Sequence, residues 1–304
     1  MKPDQPNRRG GGHGPPGRSA GGEAGRQGGH GGPHRHHPPG PARPPGPPRG
    51  PWQSAPRSEP RQPGPEAPRG AIWLYGQHAV AAALANPQRR LRRLLVTEEA
   101  EPAIAARVAQ PWPLAPERVE RARLDQLLGR DAVHQGAALL ADPLAQPSLA
   151  HALERPGPVL VLDQVTDPRN VGAILRSAAA FRAAAVIAQE RNAPEETGAL
   201  AKAASGALET VPLLRAVNLA RTLVALRAAG LWVVGLDPAG KPLDGCAFAD
   251  RRLALVLGAE DTGLRRLTRE TCDELAGIAM PGSMASLNVS VAASVALYEL
   301  ARRP

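Results

Sequence analysis

Past residue 70 the chain alternates short, continuous apolar runs with longer stretches whose apolar residues recur at helical spacing. Continuous aliphatic runs suit strands covered on both faces, and three-to-four spacing suits helices laid across such strands. Ile72–Gly76 reads as a strand entering a turn, followed by an Ala-rich helix over Gln77–Leu84 that ends at Asn86-Pro87. Arg89–Val96 is the next strand, Ala103–Ala109 and Arg121–Leu128 are helices, and Ala132–Ala141 turns into a strand. These elements make a small α/β unit over 71–142. Pro143–Pro158, with Pro147, Pro156 and Gly157, reads as a linker over 143–157.

A larger α/β unit over 158–304 follows. Its strands are expected at Pro158–Asp163, Ala184–Ala188, Glu209–Leu214, Leu231–Leu236 and Leu253–Leu257. Helices are expected at Val171–Phe181, Glu195–Ala207, Leu219–Ala229 capped by Asn218, and Gly263–Glu274. A last apolar run at Ile278–Met280 breaks at Pro281-Gly282, and a polar turn leads through Asn288 into a helix with Ala292, Ala293 and Ala296 on one side. The alternation predicts a mainly parallel sheet with helices on both faces. Ligands bind such sheets beyond the C-terminal ends of the strands, so the loops after Leu162, Leu257 and Met280 are where chemistry belongs.

Composition adds a third segment. Half of residues 1–70 are Gly or Pro, and seven of the chain's nine net positive charges fall there. So little aliphatic side chain cannot offset the entropy of ordering, which predicts a disordered basic tail. Its charge fits a polyanion such as RNA, or a solubilising extension without a specific partner. The cluster His34–His37 within it is read as solvated low-complexity sequence. There is no apolar run of membrane-spanning length and no secretory signal, and Cys246 and Cys272 lack metal-ligand spacing. The expectation is a cytoplasmic protein without a membrane partner or metal.

The three loops hold the candidate residues. Asn170 and Arg176 follow the first strand, the latter interrupting an apolar helix, so that if buried it needs a phosphate or carboxylate partner. Gly258 directly after its strand permits close backbone approach to a ligand, and Glu260 is an acid expected to converge on Arg176. Ser286, Asn288 and Ser290 lie between the last strand and helix, where any of them can be a plain cap. The Arg89–Arg93 cluster is either an RNA-facing patch or an ordinary solvated edge. The turn after the first strand of the larger unit, Asp163–Pro168, lacks the glycines of a dinucleotide site, which disfavours a nicotinamide dehydrogenase.

Taken together, Asp167–Arg176, Leu257–Gly263 and Ile278–Gly282 continuing through Ser286–Ser290 resemble, in order and spacing, the three motifs of the SpoU branch of the SPOUT RNA 2′-O-methyltransferases. Lys202–Ala207 ahead of Asn218 is similar to a further family segment. Tyr75–Val80 and His134–Gly136 resemble the substrate-binding domain of the family's 23S rRNA guanosine methyltransferases. The likeness spans about Ala71 to Arg303. It implies a C-terminal α/β SPOUT domain with a deep trefoil knot, against the general rule that chains do not thread. It also implies a homodimer, with S-adenosyl-L-methionine held through Gly258, Ile278 and Leu287. Asn170, Arg176, Glu260, Ser286 and Asn288 match the positions around the reacting centre, where Glu260 is expected to orient Arg176. The implied substrate is RNA, with 23S rRNA favoured over tRNA; a non-catalytic rRNA-binding assembly factor is the rival of another class.

Overall fold

The computed structural model describes residues 70–302 apart from Asn192 and Ala285. The Gly/Pro/Arg-rich tail, with His34–His37, lies outside the described residues. In chain order these form β1 (Ile72–Tyr75), α1 (Gln77–Ala85), β2 (Leu91–Val96), α2 (Ala100–Ala105), β3 (Pro116–Arg118), α3 (Arg121–Leu128) and β4 (Ala137–Ala141). Next come α4 (Leu149–Leu153), β5 (Val159–Leu162), α5 (Pro168–Ala180), β6 (Ala185–Gln189), α6 (Gly198–Ala204), β7 (Leu213–Ala216) and α7 (Leu219–Ala228). The last are β8 (Trp232–Pro242), β9 (Leu253–Leu257), α8 (Arg266–Thr271), β10 (Glu274–Gly277) and α9 (Val289–Ala301).

Two sheets result. The first has the order β1-β4-β2-β3, antiparallel except for the parallel pair β2/β3. The second has the order β10-β8-β9-β5-β6-β7 and is parallel throughout. Burial follows position in the sheet: central β5 and β9 are buried at every residue, while edge strand β7 alternates half-buried and buried. This is the signature of a parallel sheet with both faces covered. One apolar cluster joins the two sheets, running from Leu74, Val80 and Leu139 to Leu160, Ile174 and Leu200.

Several boundaries differ from the sequence reading, each for a local reason. The segment read as a linker carries α4, whose cap Ser148 accepts from the His151 amide and whose Ala152 is buried. Helix α5 starts at Pro168, because Asp167 caps it by accepting from the Arg169 amide at 2.9 Å. Asn170 therefore lies inside the first turn. Thr197 caps the shorter α6, and Glu209 sits in the 3-10 turn Ala207–Glu209, which moves β7 later than expected. The predicted helix Gly263–Glu274 splits into α8 and β10. Asp273 forces the change: its carboxylate accepts from the Val233 amide at 2.9 Å and from Arg227 at 2.8 Å, and its own amide donates to the Val233 carbonyl. Sheet pairing with β8 overrides helical propensity there, and the last strand ends at Gly277, ahead of Ile278.

The arginine cluster is not an open patch. Arg90 and Arg92 pair with Asp142, and Arg93 makes a two-point contact with Glu117 at 2.7 Å. Arg89 is buried and binds Glu209 through Nε and Nη2, Glu196 at 2.5 Å and the Asp142 carbonyl at 2.9 Å through Nη1. Asn86 adds a bond to Glu209 at 2.7 Å. The first sheet is thus fastened to the segments flanking α6 by a charged cluster whose guanidinium is fully covered and whose carboxylates are mostly so.

Candidate active site

The middle of β8 and the loops that follow β9 and β10 frame a cavity of about 340 Å³. Its wall is mostly backbone and apolar side chain: the turn Gly258–Gly263, then Ile278, Met280, Leu287, Val289 and Ala292. Gly258, Ile278, Leu287, Glu260 and Ser286 all line it, so five of the predicted residues meet at one place. Ser286 and Asn288 are exposed, and Ile278 and Leu287 half-buried.

A wall from Leu236 to Pro238 is also present, which the sequence reading did not include. It arises from a register shift between β8 and β10, where Leu275 pairs with Gly235 but Ala276 pairs with Lys241. The intervening residues bulge outward over the cavity. Asp237, within the bulge, is tied to Arg269 at 2.8 Å. Pro238 and Gly240, just past the apolar run Leu231–Leu236, were the available signal, since both residue types mark bulges.

Gly258 is required by the chain itself. A Cβ there would stand 2.2 Å from the Gly263 carbonyl carbon, where the turn closes on itself through the Ala259–Gly263 bridge. The absent side chain lets the turn fold tightly and leaves its backbone facing the cavity.

Glu260 organises the polar rim. Its Oε1 accepts from the Asn288 side-chain amide at 2.6 Å, from the Asn170 side-chain amide at 3.0 Å and from the Val289 backbone amide at 3.3 Å. Asn288 also donates to Asn170 Oδ1 at 3.1 Å. The same Asn288 caps α9, its Oδ1 accepting from the Ser290 and Val291 amides. All three motif loops therefore meet through one carboxylate.

Arg176 stands apart from this group. It is exposed on α5, does not line the cavity, and makes no contact with Glu260, so the expectation that Glu260 orients it is not met. Its charge instead acts on His78 of α1. Behind the site, Asp163 was missed as a positioning residue. It is fully buried and accepts from the Arg265 amide at 3.0 Å and from Arg265 Nε at 2.6 Å, pinning the chain as it leaves the Gly258–Gly263 turn. Its place at the end of an all-apolar strand was the only sequence cue.

Two family models match: the SpoU rRNA methylase family over residues 157–298, and RNA 2′-O ribose methyltransferase substrate binding over residues 73–147. The 23S rRNA (guanosine-2′-O-)-methyltransferase RlmB of Escherichia coli strain K12 is 41% identical over 244 residues, covering 76% of this chain and 98% of that protein. A crystal structure of an RNA 2′-O ribose methyltransferase superposes with a TM-score of 0.63 at 28% identity, covering 77% of this chain and 89% of the other. The SpoU methyltransferase AviRb from Streptomyces viridochromogenes, solved with AdoMet, shares the fold with a TM-score of 0.62 at 24% identity, covering 77% of this chain and 90% of that one. With the rim residues, the cavity and a relative matched over nearly its whole length, the chain belongs to the SpoU rRNA methylase family.

Proposed function

We propose that this chain transfers a methyl group to a ribose 2′-hydroxyl of RNA, a guanosine of 23S rRNA, with S-adenosyl-L-methionine as donor. The observation that carries the reading is the Glu260 carboxylate, which gathers Asn170, Asn288 and the start of α9 at the mouth of a mostly apolar cavity. The cavity's size and lining, apolar with a few polar groups at one end, suit an organic cofactor. Gly258, Ile278 and Leu287 would hold the cofactor, the tight glycine turn offering backbone groups and the two aliphatic side chains flat apolar contact. When bound, S-adenosylmethionine supplies an electrophilic methyl group.

The remaining work falls to the protein. A 2′-hydroxyl is a weak nucleophile until its proton leaves, and a guanidinium, which offers donors and no acceptor, is unsuited to take that proton. In our reading Arg176 holds the adjoining phosphate, and a phosphate oxygen takes the proton. Asn170, Asn288 and Ser286 face the ribose, with Glu260 fixing both amides. Positioning of this kind lowers barriers by as much as about 7–11 kcal/mol.

Asn288 separates capping from orientation. Asn288→Ala is expected to cost about 1 kcal/mol in urea unfolding through the lost cap. Asn288→Ser keeps a capping oxygen but loses the donor to Glu260. Stability close to the parent with a clearly lower turnover number would support an orienting role, whereas full activity would reduce Asn288 to a cap.

The same reading includes a knotted C-terminal region, a homodimer and a cytoplasmic location alongside the ribosomal substrate. The dimer is supported by α9, where Val291, Val295 and Tyr298 form an exposed stripe at helical spacing while Ala293 and Ala296 are fully buried within the protomer. Among the described residues no helix is long and apolar enough to cross a membrane.

The direct test is transfer of labelled methyl from S-adenosylmethionine to 23S rRNA taken from a strain lacking this protein. Label at a guanosine 2′-oxygen is the expected result. Label confined to tRNA would change the substrate, and no label on either RNA would leave a binding protein.

A further inference from the structure

Each arginine of the Arg89–Arg93 cluster already has a carboxylate partner, so cations without one are the first place to look for an RNA-binding surface. Besides those four arginines, Arg118 of β3 pairs with Glu101. Four cations on either side of the seam between the two sheets behave differently. Among the described residues Arg107 donates to the Ala103 carbonyl, and Lys202 to the Gln135 side chain. Arg169 and Arg176 are exposed on α5, the first in its opening turn and the second two turns later. None of the four has an ion pair with a carboxylate among the described residues, and what sets them apart from other such arginines is that they lie about His78 and Tyr75 at the seam.

The seam itself is rigid. Gly198 at the start of α6 lies so close to β1 that a Cβ would stand 2.4 Å from the Trp73 carbonyl oxygen and the Tyr75 ring. Lys202, one turn later, runs across to the first sheet against Gly76, where a Cβ would meet its Cδ at 2.7 Å. Its ammonium group is held there by Gln135, which is itself fastened by its carbonyl to Gln77. Ordering a long lysine side chain over a surface without an anion costs rotamer entropy for no ionic return. Three of the cations act on one neutral neighbour: burial first, then Arg107, Lys202 and Arg176, hold His78 below the usual imidazole range. Arg169 exerts the same influence on Tyr75, whose phenol burial otherwise raises.

We propose that Arg107, Lys202, Arg176 and Arg169 form a phosphate-binding strip for RNA across the seam, passing His78 and delivering the strand to the rim at Asn170. The inference rests on the RNA reading given above and adds where the backbone lies. Arg169 adjoins Asn170, so the strip ends beside the Glu260 cluster. Cations without carboxylate partners are the groups free to displace counterions from phosphates, and contacts of this kind position a strand without reading its bases. Lys202 of α6 and Arg107 just after α2 come from opposite sides of the seam and make it part of the binding surface.

The test is the salt dependence of binding to a fluorescein-labelled RNA hairpin, using the full chain. In Arg107→Gln/Lys202→Gln the slope of log affinity against log salt is expected to fall by roughly 1.4–1.8, since each lost contact is worth about 0.7–0.9. The KM for RNA rises by more than kcat falls, and Lys202→Arg restores the slope. Arg107→Gln and Arg266→Gln as single variants make the charge-matched comparison: the first lowers the slope by about 0.7–0.9, and the second, at an exposed arginine paired with Glu270 on its own helix, leaves it unchanged. Calorimetric S-adenosylmethionine binding and the melting temperature report whether the double variant is folded. On adding the hairpin, the His78 imidazole midpoint read by NMR rises, because phosphates offset the cations around it. An unchanged slope in a folded double variant, or an unmoved His78 midpoint, overturns the strip while leaving the methyl-transfer reading intact. If the unaltered chain neither binds the hairpin nor methylates rRNA, both readings fall.

Discussion

Arg176→Ala is expected to lower kcat for methyl transfer by about 10²–10³-fold, the usual loss when one charge-stabilising donor is removed from a reacting centre. Folding should be almost unaffected. The side chain is exposed on α5 and contributes no ion pair to the described fold, and exposed substitutions of that kind fall within about 0.5 kcal/mol. S-adenosylmethionine affinity should also hold, because Arg176 is not among the residues lining the cavity. Arg176→Lys keeps the charge but loses the planar fork that matches two phosphate oxygens, so it should recover only part of the rate. Stopped turnover with cofactor binding unchanged, measured by calorimetry, is the expected pair of results. Near-normal turnover in Arg176→Ala would remove the residue from the chemistry and leave it a phosphate contact at most.

The second sheet was legible because its strands are buried on both faces. Runs such as Val159–Leu162 and Leu253–Leu257 have no polar alternation, and the Asp167-Pro168 start of α5 carries its own signal. The cavity residues were legible for the same reason, since parallel strands place their C-terminal loops together. What could not be read was pairing across long separations. Nothing local to Thr271–Gly277 says that Asp273 meets Val233 and Arg227, so a helix was extended through a strand. The bulge of β8 is equally a property of its register with β10. Glu260 was found as an acid near the site, but its partners are amides from two distant loops rather than Arg176.

The arginines show how far charge pattern alone can be carried. Arg89–Arg93 is dense in sequence yet neutralised in space, whereas Arg107, Arg169, Arg176 and Lys202 are scattered in sequence and converge at the seam. Charge counted along the chain predicts the presence of a polyanion partner better than it predicts where that partner lies.

Arg89→Ala is the substitution expected to damage the fold most, by about 3–5 kcal/mol, because it leaves buried carboxylates without their cation. The guanidinium is fully covered, and it is the one cation that joins Glu209, Glu196 and the Asp142 carbonyl among the described residues. Even with Arg89 in place, burial raises Glu196 above the ordinary carboxylate value, outweighing the arginine that lowers it. Removing Arg89 deletes that opposing influence, so Glu196 should bind a proton more readily still in the folded state. A folded pKa above the unfolded one means the folded chain holds more protons, so stability is greatest below the ordinary value of about 4.3 and falls as pH rises through the raised value. The variant should therefore lose more stability than the parent between mildly acidic and alkaline buffer, read as urea midpoints across that range. Arg89→Met with Glu196→Gln and Glu209→Gln removes all three charges and should regain most of the loss, since apolar replacement of a buried ion cluster is often close to neutral. Should Arg89→Ala unfold at the parent's midpoint at every pH, the cluster would not be what fastens the first sheet to α6. A folded Arg89→Ala that binds RNA more weakly, although Arg89 itself touches no solvent, would show that the seam acts by holding Arg107 and Lys202 at a fixed separation.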